Sequence, residues 1–143
     1  MELTVAARKL HPAAQLPHYA TPGAAGMDLH ACLEEPMEVP SGGIVLVPTG
    51  IALSVPAGHV GLIRDRSGLA VAGLHTLAGV IDSDYRGEVK IALHNAAAVG
   101  RSLHPGDRIA QMLILPCPQV QLLEVAELPP TTRGSGGFGS TGR

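Results

Sequence analysis

Turn-forming residues interrupt this chain so often that long helices are not expected and many short strands are. Eighteen glycines and twelve prolines are distributed over 143 residues, and both residue types break regular structure. The runs between them are short and rich in valine, isoleucine and leucine, which is typical of β-strands. The sequence therefore predicts an all-β protein, a distorted jelly roll or β-barrel with one short helix.

The predicted strands are apolar, β-branched runs bounded by proline or glycine. They cover residues 2–7, 26–32, 44–47, 50–55, 59–63, 88–95, 108–115 and 120–125. A strand–turn–strand hairpin is predicted in the middle of the chain, with residues 80–81 leading in and 89–93 leading out. Helical character is confined to residues 67–73, which end at a glycine.

The chain is predicted to divide into a body and a tail. Residues 1–130 form a single β domain of ordinary size, long enough to bury a core. Pro129 and Pro130 mark its end. The glycine-rich residues 131–143 cannot bury enough apolar surface to order themselves and are expected to be a flexible arm.

Charge and cysteine content narrow the class of protein. The formal net charge is −2, with only ten lysines and arginines, so no nucleic-acid partner is expected. No apolar run approaches the ~20 residues that cross a membrane, and the first residues lack the order of a signal peptide; a cytoplasmic protein is expected. Cys32 and Cys117 have no metal or redox spacing and are predicted to be buried. The seven histidines show no metal spacing either, and most are predicted to lie on the surface.

Two carboxylates stand close together in the otherwise apolar residues 79–90. Asp82 is expected where a strand ends, next to apolar neighbours that raise the cost of its charge. Asp84 and Tyr85 follow it directly. A plain turn is the alternative, because aspartate suits turns. A calcium loop is excluded, because an arginine and a leucine occupy two of its ligand positions.

Arg66, Ser67 and Gly68 could hold phosphate oxygens. They offer a cation, a hydroxyl group and a permissive backbone at the start of the predicted helix. The alternative is a helix cap with Ser67 as the capping oxygen. Gln111 lies on an apolar strand, where its amide serves either a core hydrogen bond or a ligand contact.

Five segments resemble, in order, the motifs of the trimeric dUTP diphosphatase (dUTPase) family. They are residues 25–29 (AGMDL), 66–70 (RSGLA), 79–90 (GVIDSDYRGEVK), 106–112 (GDRIAQM) and 133–140 (RGSGGFGS). Together they span nearly the whole chain. The resemblance implies a homotrimer with shared active sites that hydrolyses dUTP to dUMP and diphosphate with Mg²⁺. Such an activity limits uracil incorporation into DNA and supplies dUMP for thymidylate synthesis.

The same resemblance implies how the nucleoside is held. Asp82 matches the general base that activates the water attacking the α-phosphorus, and Tyr85 matches the residue that packs on the deoxyribose. Thr76 takes the place of an asparagine that contacts uracil in many members. The backbone that would hydrogen-bond the uracil edge belongs to Gly79, Val80, Ile81 and Lys90.

The resemblance also implies how the triphosphate and the metal are held. The phosphate contacts, supplied by a neighbouring subunit, would come from Arg66, Ser67, Gly68 and Gln111. Asp28 matches an acidic residue tied to the magnesium site through water. In the arm, Arg133 would contact the γ-phosphate, and Phe138 with Gly139 would cover the base.

Two residues depart from the family pattern, and two rival functions remain. Asp65 stands where members usually have proline, which places a carboxylate beside Arg66, and Thr76 replaces an asparagine. One rival is a dCTP deaminase of the same fold, which is disfavoured because Ala92 stands where that enzyme needs a glutamate. The other is a nucleotide-binding jelly roll without activity, which would not need Asp82.

Overall fold

The computed structural model describes residues 2–142 and shows a nearly all-β protein, as predicted. Within those residues the regular elements are ten strands and one helix. In chain order they are β1 (Ala6–Lys9), β2 (Met27–His30), β3 (Met37–Val39), β4 (Ile44–Ser54), β5 (His59–Arg64), α1 (Ser67–Val71), β6 (Leu74–Leu77), β7 (Val80–Ile81), β8 (Glu88–Asn95), β9 (Arg101–Leu103) and β10 (Arg108–Pro116).

The strands form two four-stranded sheets and one small ribbon. The first sheet has the order β1-β4-β8-β6, the second has the order β2-β10-β5-β7, and the ribbon pairs β3 with β9. Each strand pair is antiparallel. The chain crosses repeatedly between the two antiparallel sheets, which is consistent with the predicted jelly roll.

The core lies between the two large sheets and, among the described residues, contains no phenylalanine, tyrosine or tryptophan side chain. Strand β8 shows the pattern that builds it, because Val89, Ile91 and Leu93 point inward and are buried while Lys90 points outward. Leu29 and Met112 contribute from the second sheet and are fully buried. Alternation of buried and exposed side chains along each strand is what a two-layer β structure requires.

Strand β4 corrects the prediction of two strands separated by Pro48. It runs from Ile44 to Ser54, and its register against β8 shifts between Pro48 and Ala52. A bulge therefore absorbs the proline without ending the strand. Gly50 lies in the bulge at φ +68°, and its N–H donates to the Glu88 carboxylate at 3.1 Å.

The central hairpin prediction is wrong. Strand β7 does not pair with β8; Ile81 and Val80 lie opposite Gly61 and Leu62 of β5, in the other sheet. Strand β8 lies between β4 and β6 in the first sheet, and β6 was not predicted from the sequence. The acidic turn therefore connects the two sheets, so residues following β7 lie at the junction of the two layers.

Other boundaries also differ from the prediction. Strand β1 begins at Ala6, whereas residues 2–5 are not in a strand. Residues 120–125 form no strand, because no strand within residues 2–142 pairs with them, and their apolar side chains are exposed. The short strands β3 and β9 were not predicted, since three residues give too short an apolar pattern to recognise.

Four histidines are less exposed than predicted, because His30 is buried and His59, His75 and His94 are half-buried. His30 is buried and stacks on His18 with the ring centroids 5.4 Å apart. Burial, and next the charge of His18, lowers the pKa of His30 below its ordinary value, so the ring is neutral at pH 7. His75 and His94 lie opposite each other on β6 and β8, with their ring nitrogens 2.7 Å apart.

The cysteines and the chain ends complete the comparison. Cys32 is half-buried, but Cys117 is exposed, so the prediction of burial is wrong for Cys117. Met1 and Arg143, the outer ends of the two predicted segments 1–130 and 131–143, lie outside the described residues. Across residues 2–142, no helix has the length and apolar character needed to span a membrane.

Candidate active site

Asp82 opens a tight turn that follows β7. The Tyr85 N–H donates to the Asp82 carbonyl at 3.1 Å, which closes the turn. The Arg86 guanidinium donates to the Ser83 carbonyl at 2.7 Å and to the Tyr85 carbonyl at 3.1 Å. These bonds fix the backbone of the turn. The Asp82 side chain is exposed in this chain.

Two consecutive residues with left-handed backbone conformation determine the position of this turn. Ala78 has φ +60° and Gly79 has φ +104°, and together they carry the chain from β6 in one sheet to β7 in the other. The Ile63 N–H donates to the Gly79 carbonyl at 2.7 Å. A Cβ on Gly79 would lie 3.0 Å from both the Cβ and the carbonyl oxygen of Ile63, so only glycine fits against β5.

Tyr85 is held over the start of β8. Its hydroxyl donates to the Glu88 carbonyl at 2.7 Å. A Cβ on Gly87 would lie 2.5 Å from the Tyr85 hydroxyl oxygen, so the ring can occupy this position only because residue 87 has no side chain. Glu88 in turn contacts the β4 bulge through Gly50. The tyrosine ring is thus oriented by backbone geometry.

A first cavity of about 410 Å³ opens beside this turn. Its lining residues are Leu46, Val80, Ile81, Asp82, Tyr85, Glu88 and Lys90. Strand β7 is the last strand of its sheet among the described residues, so one edge of its backbone is free to bind a ligand with donors and acceptors in a plane. The cavity therefore combines a backbone edge, an aromatic face and a carboxylate.

A second cavity of about 220 Å³ contains two cations and one anion. It is lined by Ala20, Asp28, Arg66, Ser67, Arg108 and Gln111. The Asp28 carboxylate is nearly buried and lies 3.6 Å from Arg66 Nε and 3.4 Å from an Arg108 nitrogen. The Arg66 guanidinium also donates to the Arg108 carbonyl at 3.3 Å. Two guanidinium groups against one carboxylate leave an excess of positive charge that suits phosphate.

Sequence reasoning did not identify Arg108 or Glu88 as site residues. Both lie inside segments that the motif comparison had selected, since Arg108 is three residues before Gln111 and Glu88 is three after Tyr85. A cation beside a candidate phosphate ligand was the signal available for Arg108. For Glu88 no sequence signal was available, because its role depends on the bulge in β4.

Gln111 is placed by its neighbours on both sides. It lies opposite Asp28 of β2 and Arg64 of β5 in the register of β10. Its side-chain amide donates to the Asp65 carbonyl at 2.8 Å. A Cβ on Gly26 would lie 2.5 Å from the Gln111 side-chain oxygen, so that glycine makes room for the amide. Gln111 therefore makes a structural hydrogen bond and also lines the cavity.

The helix-cap interpretation of Ser67 is wrong. The N-cap position of α1 belongs to Arg66, and no side chain makes a capping hydrogen bond there. Ser67 and Gly68 are exposed at the start of this five-residue helix. The Ser67 hydroxyl faces the second cavity and is available to a ligand.

Thr76 does not line either cavity. Its backbone N–H and its hydroxyl both donate to the same carboxylate oxygen of Asp65, each at 2.6 Å. Burial raises the pKa of the Asp65 carboxyl, but these two hydrogen bonds, together with His75 and Arg64, hold the pKa below its ordinary value. Asp65 therefore carries its charge at neutral pH and directs it to Thr76 and away from Arg66.

The candidate residues of the arm touch neither cavity. Arg133 donates through Nε to the Gly136 carbonyl at 2.9 Å, inside a local turn. Phe138 is fully exposed at φ +51°, and Gly139 follows it at φ +85°. The structure therefore does not bring the arm to the residues it was predicted to assist.

The two cavities share no lining residue. Asp82, Tyr85, Val80, Ile81 and Lys90 meet in the first, whereas the guanidinium, hydroxyl and amide groups of the predicted phosphate site meet in the second. One chain therefore presents two separate half-sites. A ligand that needs both sets of groups cannot obtain them from either cavity alone.

The described residues offer no metal site of their own. Within residues 2–142, no group of three or more histidine, cysteine, aspartate or glutamate side chains lies close enough to hold a metal ion. Asp28, the residue predicted to act on magnesium, faces two guanidinium groups. This donor set fits only an indirect contact, in which a magnesium ion takes most of its ligands from phosphate oxygens.

Comparison with known proteins identifies the family. A family model described as dUTPase matches residues 13–142. The deoxyuridine 5'-triphosphate nucleotidohydrolase of Syntrophotalea carbinolica is 47% identical over 143 residues, covering 98% of this chain and 97% of that protein. The protein of the same name from Rhizobium meliloti is 51% identical over 133 residues, covering 89% of this chain and 82% of its own.

Solved structures agree in fold. A variant of the dUTPase of Staphylococcus bacteriophage 80alpha, solved with dUpNHpp, superposes with a TM-score of 0.91 at 25% identity, covering 98% of this chain and 99% of that chain. A variant of the dUTPase from phage phi11 of S. aureus, described with a structural Mg(II) ion, gives a TM-score of 0.79 at 26% identity, covering 87% of this chain and 97% of its own.

The left-handed turn at Gly79 predicts a measurable loss of stability. Gly79→Ala should lower the free energy of unfolding by about 2–3 kcal/mol, because alanine adds both an unfavourable φ and a contact with Ile63. Gly58→Ala is the matched control, since Gly58 has φ +76° and a Cβ there would meet only open space; it should cost about 1 kcal/mol. Urea unfolding measures both. Equal losses would mean that the approach to Ile63 is unimportant.

Proposed function

The chain belongs to the dUTPase family, and from that membership we infer that it hydrolyses dUTP to dUMP and diphosphate. The activity removes dUTP before it can be incorporated into DNA and provides dUMP for thymidylate synthesis. The curated relatives at 47% and 51% identity carry the matching name. No observation favours the deaminase rival, and Ala92 of β8 offers no carboxylate for it. We propose the cytoplasm, where the free thiols stay reduced, as its compartment.

The observation that carries the proposed site is the separation of the two half-sites. A dUTP molecule needs a base-and-sugar site and a triphosphate site in one continuous place, and one chain provides them in different cavities. We therefore propose a homotrimer in which the first cavity of one subunit faces the second cavity of a neighbour. Closed symmetry gives each of the three subunits one complete site.

The exposed residues after β10 support association. Val120, Leu122, Leu123 and Leu128 are each more than three-quarters exposed, and they follow one another in a segment without a strand partner. Apolar side chains grouped in this way mark a surface that is covered by another chain. The predicted strand at 120–125 would then form between subunits.

In the first cavity, the proposed contacts select a uracil deoxynucleoside. The free backbone edge at Gly79, Val80 and Ile81, together with Lys90 on β8, hydrogen-bonds the uracil edge. Tyr85 packs its ring on the deoxyribose, and the hydrogen bond from its hydroxyl to Glu88 keeps the ring in place. A fixed ring leaves no room for a ribose hydroxyl, which excludes UTP by contact.

In the second cavity, the proposed contacts hold the triphosphate. Arg66 supplies charge, and Ser67, Gly68 and the Gln111 amide supply hydrogen bonds. Asp28 orients Arg66 and Arg108 through the ion pairs described above. We further propose that the arm closes over the substrate, with Arg133 on the γ-phosphate and Phe138 and Gly139 over the base, and so excludes water.

Asp82 is the proposed general base. Its carboxylate accepts a proton from a water molecule whose oxygen forms a bond to the α-phosphorus. The bond from that phosphorus to the oxygen bridging the α- and β-phosphates breaks, and diphosphate leaves. Magnesium bound to the triphosphate supplies positive charge that neutralises the phosphate oxygens. The turn at residues 82–85 holds the backbone that carries this carboxylate.

Asp82→Asn tests the base. The variant keeps the size and hydrogen bonding of the side chain but cannot accept the proton, so kcat should fall about 10²-fold or more while dUpNHpp affinity is retained. Release of diphosphate from dUTP and calorimetric titration measure the two quantities. Asp84→Asn, two residues away in the same turn, is the matched control and should stay close to wild type. Normal turnover by Asp82→Asn would remove Asp82 from the mechanism.

Mixing two inactive variants tests the shared site. Asp82→Asn and Arg66→Ala should each be inactive, but equal amounts unfolded and refolded together should regain activity. In a random trimer about one quarter of the sites take an intact Asp82 from one chain and an intact Arg66 from the next. The same mixture without refolding is the control. No recovery in refolded trimers would show that each site lies within one chain.

Truncation tests the arm. Removing residues 132–143 should leave the fold and the oligomer unchanged, because the hydrogen bonds found within residues 131–142 all join one arm residue to another. Turnover of dUTP should fall by about tenfold or more, since water is no longer excluded. Phe138→Ala should cause a smaller loss, because Arg133 remains. Full activity in the truncated protein would contradict the lid.

A further inference from the structure

Asp65 and Thr76, the two departures from the family pattern, contact each other. One carboxylate oxygen of Asp65 accepts both the N–H and the hydroxyl of Thr76. The residues are eleven positions apart and close the base of a loop that contains α1. Two short hydrogen bonds to one charged acceptor make a strong contact. We call this pair the Asp65–Thr76 clasp.

The clasp joins the two sheets at the second cavity. Asp65 follows β5 in one sheet, and Thr76 belongs to β6 at the edge of the other. The Asp65 carbonyl also accepts from Gln111 of β10. Three strands therefore converge on one residue. Arg66, the next residue, starts the segment that lines the second cavity.

The clasp also keeps a negative charge away from phosphate. Asp65 is adjacent in sequence to Arg66, yet it does not line the second cavity. Its carboxylate is satisfied by Thr76, and its low pKa keeps it ionised and so bound to these donors. A carboxylate released from Thr76 would be free to pair with Arg66 and compete with a phosphate group.

We propose that Asp65 and Thr76 are positioning residues that hold the phosphate-binding segment 66–68 in its binding orientation and keep the Asp65 carboxylate out of that site. The proposal rests on the proposed dUTP hydrolysis. It assigns to Thr76 a role on the triphosphate side through Asp65, in place of a direct contact with uracil. The proposed role concerns only the second cavity of one chain. It therefore does not depend on which subunit provides the first cavity.

Two fragments of the substrate separate this role from a general loss of stability. Deoxyuridine reports the first cavity, and inorganic diphosphate reports the second. In Asp65→Ala the inhibition constant for diphosphate and the KM for dUTP should each rise about tenfold. The inhibition constant for deoxyuridine should change by less than about twofold. Glu35→Ala removes an exposed carboxylate outside both cavities and should match wild type.

Thr76 provides the conservative rescue. Thr76→Ser keeps the hydroxyl and should behave like wild type, whereas Thr76→Val keeps the shape, loses the hydroxyl and should weaken diphosphate binding in the same direction as Asp65→Ala. In Asp65→Ala, further replacement of Thr76 by valine should add little, because the contact is already lost. Circular dichroism and light scattering check that each variant is folded and assembled.

Several results would overturn the inference. Tighter diphosphate binding by Asp65→Ala would show that the carboxylate acts as a repulsive charge. Equal weakening for deoxyuridine and diphosphate would show a merely structural role, and wild-type constants throughout would show no role. Absence of dUTP turnover by the wild-type protein would instead refute the proposed function, which keeps the two failures distinct.

Discussion

The candidate site depends on the left-handed turn at Ala78 and Gly79. Had the chain turned in the ordinary way after β6, β7 would have stayed in the first sheet, and the free backbone edge of the first cavity would not exist. The turn is held by one backbone hydrogen bond from Ile63 and by the absence of a side chain at Gly79. This contact and the pairing of β7 with β5 together determine where Asp82 stands.

The division of the site into two cavities separates two tasks. The junction beside β7 and β8 presents an aromatic ring, a backbone edge and a carboxylate, whereas β2 and β10 present charge to a polar cleft. Asp28 neutralises part of that charge and so keeps two guanidinium groups close together without a ligand. The two sets of groups therefore lie in different places on one chain.

The sequence predicted the class of fold, because β-branched runs separated by turn residues are local properties. The motif resemblance named most of the residues that line the two cavities, but not Arg108 or Glu88. The sequence could not predict the partner of β7, since pairing between strands distant in sequence leaves no local pattern. The same limit explains why β6 was missed and why residues 120–125 were predicted as a strand. Asp65 and Thr76 were recognised as unusual residues, but only the three-dimensional structure shows that each is the other's partner.

The packing of Tyr85 on Gly87 constrains the order in which this chain can evolve. Any side chain at position 87 meets the tyrosine ring first, so a substitution there is tolerated only after the ring has been lost or moved. The reverse step carries no such condition, because a smaller residue at position 85 merely leaves space. A substitution at position 87 is therefore expected to follow a substitution at position 85. The opposite order would require the tyrosine ring to leave its present position.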